Sequence, residues 1–122
     1  MKTCELKENH EEPMLEIKNF REMNKRIVKS LLDVIVLVKL RERTALLGGY
    51  DVMELVRQEF GVLISPGTVY AVLYSMERDG LIEGKASRNK RAYMLTKKGE
   101  NKIERISEVK ANILDSMTKI FR

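Results

Sequence analysis

The chain is 122 residues long, 43% hydrophobic and 34% charged, with a formal net charge of +5. That length suits one domain with a single buried core, and the composition is that of a soluble globular or helical protein. The longest apolar run, around VIVLV at residues 34 to 38, falls far below the roughly 20 residues that span a bilayer; with no basic-then-apolar leader, the expectation is a cytoplasmic protein with no membrane partner.

Residues 1 to 13 carry charges of mixed sign and end at Pro13, which reads as a flexible N-terminal arm. The arm holds the only cysteine, Cys4, and the only histidine, His10. One of each rules out a disulfide framework and leaves too few ligands for a structural zinc site, so no metal or cofactor is expected. From Met14 the apolar residues keep a helical beat through Phe20, Met23, Ile27, Leu31, Val34 or Ile35, and Val38. The pattern lasts to about Arg41 and predicts one unusually long helix or two consecutive pieces. Its second half, LLDVIVLVKL, is apolar on most sides and belongs at the centre of the core.

TALLGGY then reads as a turn, and a second helix is expected from about Tyr50 to Phe60. It would bury Val52 or Met53, Leu55, Val56 and Phe60, with Gly61 as its stop. A third helix is expected from Ser65 to about residue 79. Ser65 can cap an unpaired amide of the first turn, and Pro66 at the first helical position loses no hydrogen bond. Val69, Val72, Leu73 and Met76 share the inner face of this helix. Gly67, Ala71, Tyr74 and Arg78 collect on the outer face, flanked by Thr68, Tyr70 and Ser75.

After Gly80, Leu81–Lys85 and Arg91–Leu95 alternate apolar and polar residues, as the strands of a hairpin do, around the polar tip ASRNK. Residues 65 to 122 hold 12 cationic against 7 acidic side chains, whereas residues 1 to 64 are balanced at 11 each. Between Gly84 and Lys98 stand Lys85, Arg88, Lys90, Arg91, Lys97 and Lys98 with no acidic residue. Such a field suits a polyanion, and a solvated basic loop is the plainer reading. Thr96 should cap a last helix running through Phe121. Ile103, Ile106, Val109, Ile113, Met117 and Ile120 recur on it in steps of three and four, a narrow coiled-coil type of seam.

This order reads as mainly α with a small β-hairpin: a winged helix-turn-helix with a long C-terminal dimerisation helix. The expected division is the arm at 1 to 13, a winged-helix unit with an extended first helix at 14 to 95, and a dimerisation helix at 96 to 122. In that architecture the third helix enters the major groove and the hairpin wing lies on the adjacent backbone. Small Gly67 and Ala71 permit close approach, and helix N-terminal amides attract phosphate. Tyr70, Tyr74 and Ser75 can donate to phosphates or base edges, and Arg78 can reach a phosphate. The candidate DNA contacts are therefore Tyr50, Ser65, Pro66, Gly67, Thr68, Tyr70, Ala71, Tyr74 and Arg78, with Lys85, Ser87, Arg88, Asn89, Lys90 and Arg91 on the wing. The candidate dimerisation residues are Phe20, Met23 and Ile27 with the six apolar residues of the last helix.

SPGTVYAVLYSMERDGLIEG followed by RAYMLTKKGE resembles the signature of PadR-type transcriptional regulators, and GGYDVMEL resembles the start of that family's second helix. The resemblance covers roughly residues 31 to 105. It implies a homodimeric repressor on a palindromic double-stranded operator, often released by a small hydrophobic or aromatic effector. Carried over, Ser65, Pro66, Gly67, Thr68 and Tyr70 match the recognition-helix motif, Tyr50 the second-helix tyrosine, and Tyr93 the residue closing the wing. Gly48 stands where the family usually has histidine, and the arm and first helix are longer than is typical.

Plainer readings stand beside these. Tyr70 and Tyr74 can be half-buried packing residues, Tyr50 can lie beneath the recognition helix, and Tyr93 suits packing better than contact. The C-terminal stripe can fold back on the first helix, and the seven methionines suit the core better than a ligand pocket. An enzyme is excluded: there is no histidine outside the arm, no glycine-rich phosphate loop after a strand, and no carboxylate cluster. The alternative from another class is a winged-helix protein-protein interaction module without specific DNA binding.

Overall fold

A computed structural model describes residues 13–43, 46–87 and 90–122. Cys4, His10 and the expected arm up to residue 12 therefore lie outside the described residues, as do Arg88, Asn89 and the side chain of Ser87. The helical beat from Met14 resolves into two pieces, α1 (Pro13–Ser30) and α2 (Leu32–Glu42). At Leu31 the backbone leaves helical geometry, with φ −109° and ψ 20°, and just beyond it the Val34 N–H donates to Asp33 Oδ1 at 2.8 Å. Only the last part of α1 reaches the core, through Val28. By contrast α2 buries Leu32, Val36, Leu37 and Leu40, and it packs against most of the remaining structure.

The expected turn at Leu47 and Gly48 is instead a short strand, β1 (Leu47–Gly48). It pairs antiparallel with β3 (Lys90–Leu95), which in turn pairs with β2 (Ile82–Ser87), giving a three-stranded sheet in the order β1-β3-β2. Two residues are too short for periodicity to register, which is why the sequence pattern showed only the hairpin. Next, α3 (Gly49–Phe60) starts where the Asp51 carboxylate accepts the Gly48 N–H at 2.7 Å. It buries Val52 and Val56, but Phe60 at its last position is 37% exposed rather than buried as expected, the core being continued instead by Val62 and Ile64 just beyond the helix.

The helix α4 (Pro66–Arg78) begins as the sequence predicts, with Ser65 Oγ accepting the Thr68 N–H at 3.2 Å. It ends through Gly80, whose φ of +80° is natural only for glycine. There the Leu81 N–H reaches the Met76 carbonyl at 2.9 Å and the Gly80 N–H reaches Glu77 at 3.0 Å, the paired bonds of a Schellman stop. Val69, Leu73 and Met76 are buried beneath α4, with Val72 partly so.

The last helix also divides. α5 (Lys97–Glu108) is capped by Thr96, whose Oγ1 accepts the Gly99 N–H at 3.1 Å, and α6 (Lys110–Ile120) follows after Val109 at φ −107°. The expected single helix to Phe121 is thus corrected to two pieces. The seam is corrected too: Ile103 is 0% exposed and belongs to this chain's own core, packed with the residues of α2, so it is not open to a partner. Its physical reason is that α5 lies on α2, and only the continuation beyond Ile106 leaves the core.

Candidate nucleic-acid interface

The outer face of α4 begins with two hydroxyls that hold each other, Ser65 Oγ and Thr68 Oγ1 at 3.0 Å. Gly67 and Ala71 are exposed, and nothing lies within 4 Å of where a Cβ on Gly67 would stand. The space before this first turn is open, so a bulky group can come close to the helix backbone there. Tyr74 is 53% exposed, and Arg78 is exposed one turn further along.

Tyr70 is half-buried, and its ring rests on the start of α3. A Cβ added to Gly49 would fall 2.5 Å from its Cζ and 2.8 Å from its hydroxyl oxygen. The rings of Tyr70 and Tyr74 lie 6.0 Å apart at 32°, a tilted pair on one flank of α4. Tyr50 is 69% exposed, so it is not buried beneath α4. Tyr50, Tyr70, Lys90 and Arg91 line one open depression between the start of α3, the flank of α4 and β3.

On the wing, Lys85 and Lys90 are exposed and form no ion pair among the described residues. Arg91 is different. Its guanidinium is turned onto Glu77 of α4 in an ion pair, and its central carbon lies 5.9 Å from the Tyr93 ring centroid. The Arg91 hydrogen bond holds the Glu77 carboxyl below its ordinary range, burial opposing it and the Gly84 amide assisting. Tyr93 is buried, as the packing reading expects, and that burial raises its hydroxyl pKa. The Glu77–Arg91 pair was not visible in the sequence; a glycine in mid-strand, Gly84, was its only signal.

The expected dimerisation residues separate by element. On α1, Phe20 and Met23 are exposed and Ile27 is half-buried; on the C-terminal side Ile106 packs partly on the core, while Val109, Ile113 and Ile120 are exposed and Met117 is half-buried. Met14, Leu15 and Ile17 on α1 and Leu114 and Phe121 at the C-terminal end are exposed as well, so both apolar surfaces are broader than the periodic stripe. Adjacent apolar pairs such as Ile113-Leu114 and Ile120-Phe121 carried that signal.

Residues 36–105, more than half of the chain, match the model of the transcriptional regulator PadR-like family. The chain belongs to the PadR-like family. No curated protein matches it. Among solved structures, a PadR family transcriptional regulator from Eggerthella lenta is similar at 19% identity, with 89% of this chain and 97% of that chain covered and a TM-score of 0.69. A PadR family transcription regulator from Clostridium difficile shares 22% identity over 75% of this chain and 99% of that one, with a TM-score of 0.65. F93 from STIV, a winged-helix DNA-binding protein, shares 22% identity over 66% of this chain and 87% of that one, with a TM-score of 0.58. These likenesses establish the winged-helix fold. PadR-like membership also makes the chain a transcriptional regulator and not an enzyme. Among the described residues, no helix is long and apolar enough to cross a membrane.

Proposed function

We propose that this PadR-like regulator binds double-stranded DNA sequence-specifically as a homodimer and represses transcription from a palindromic operator. The reading puts α4 in the major groove and the wing tip on the adjacent backbone, with Arg88, Asn89 and Lys90 at the phosphates. One observation carries it: the first turn of α4 is capped, open and made of small residues, and the cationic wing strands pack against the other end of the same helix at Glu77. A turn of that kind lets helix amides and short hydroxyls approach a groove that a bulky surface could not enter. The wing cations add the sequence-independent share of affinity.

The homodimer reading is supported by the apolar residues of α1 and α6 that stay exposed among the described residues. Two copies of α4 related by a twofold axis read an inverted repeat, with half-sites about one helical turn apart. Selection of bound duplexes from a random pool tests the proposal in one step. An enriched inverted repeat with fixed spacing is the expected result. A pool that stays random through successive rounds would leave the interaction-module reading in its place.

A further inference from the structure

Glu77 stands near the end of α4 and Arg91 on β3, 14 positions further along the chain. Arg91 Nη2 donates to Glu77 Oε2, and the same carboxylate oxygen accepts the Gly84 N–H of β2 at 3.2 Å. One oxygen therefore ties both strands of the wing to the helix. Gly84 leaves the room this needs: a Cβ there would stand 2.6 Å from Arg91 Nε and 2.8 Å from its Cζ. The guanidinium lies where any other residue would place its side chain. Beside it is the ring of Tyr93, itself fixed in the core at 1% exposure. A solitary surface ion pair contributes little to stability, but this carboxylate gathers a charged and a backbone donor from two strands, which gives the contact a defined geometry.

We propose that Glu77, Arg91 and Gly84 form a latch that sets the angle of the wing to α4, so that Arg91 serves DNA binding as a positioning residue and does not hold phosphate. The inference rests on the DNA-binding reading above. The two roles for Arg91 have opposite consequences. If Arg91 held phosphate, Glu77 would compete with the DNA for its guanidinium, and removing the carboxylate would strengthen binding. As a latch, removing either partner releases the wing and weakens binding.

The test uses the full chain and its selected duplex in fluorescence anisotropy across a series of salt concentrations. Glu77→Gln and Arg91→Lys each weaken binding by roughly tenfold, with the slope of log K against log salt unchanged. Lysine keeps the charge but lacks the planar fork. Tighter binding by Glu77→Gln overturns the latch, as does a slope shallower by about 0.9 in Arg91→Gln, the share that one neutralised phosphate supplies. Hydrogen exchange at the Gly84 amide separates this failure from failure of the DNA reading. It speeds up in Glu77→Ala, which removes the accepting oxygen that glutamine would keep, if the latch exists, whatever the DNA result, and unchanged exchange in that variant overturns the latch. Undetectable binding of any duplex by the unsubstituted chain overturns the DNA reading and with it the positioning role.

Discussion

The ring of Tyr70 lies directly against the backbone of Gly49, joining the flank of α4 to the first turn of α3. The ring could not lie there with a larger residue at position 49. Gly49→Ala places a methyl group 2.5 Å from the ring and should cost about 1–3 kcal/mol, as overpacked sites do. Urea unfolding measures the loss. In a Tyr70→Ala background the same substitution should cost far less, and equal costs in both backgrounds would show that the ring does not sit there.

The apolar residues of the last two helices should divide by effect. Ile103→Ala removes a fully buried side chain and should destabilise by about 2–5 kcal/mol at any protein concentration. Ile113→Asp, on the exposed side of α6, should leave each folded subunit intact and shift sedimentation toward monomer. A substituted chain that still sediments as a dimer would assign the interface elsewhere.

Loss of the Ser65 hydroxyl leaves the Thr68 amide without its partner. Ser65→Ala should lower stability by about 0.5–2 kcal/mol, the ordinary range for a helix N-cap, while Ser65→Thr should recover most of it. Thermal unfolding of the two variants decides the point.

The Glu77–Arg91 pair predicts an acid limb. Because Arg91 lowers the folded-state pKa of Glu77 below its ordinary value of 4.5, the pair's stabilisation is present above that value. It is lost as pH falls through the lower, folded-state pKa. Between the two values the unfolded chain binds the extra proton, so stability rises with pH. Glu77→Gln should flatten this part of the stability profile, and an unchanged profile would mean that the carboxyl is not paired in solution.

Much of this was legible because it is local. Ser65-Pro66 marks a helix start through bonds within four residues, Gly80 marks its stop, and Thr96 marks the next start. Beyond that local range the sequence was less informative. β1 exists because Leu47 and Gly48 meet Tyr93 and Ala92, some 45 residues away, and two residues carry no period. The breaks at Leu31 and Val109 fall inside unbroken apolar patterns and leave the helical beat intact. Arg91 looked like one more wing cation because charge counts do not record direction; only Gly84 hinted that a side chain crosses that strand. Ile103 fitted the seam by spacing, yet the packing of α5 on α2 turned it inward.

The most direct test of the central claim is a salt titration of the full chain against its selected duplex and a scrambled one. We expect tighter binding to the selected duplex, and an affinity for both that falls linearly in log K against log salt. Arg88→Ala combined with Lys90→Ala should weaken both duplexes alike and flatten that slope by about 0.9 for each phosphate no longer neutralised. Binding that is undetectable, indifferent to sequence or independent of salt would contradict a sequence-specific DNA-binding regulator.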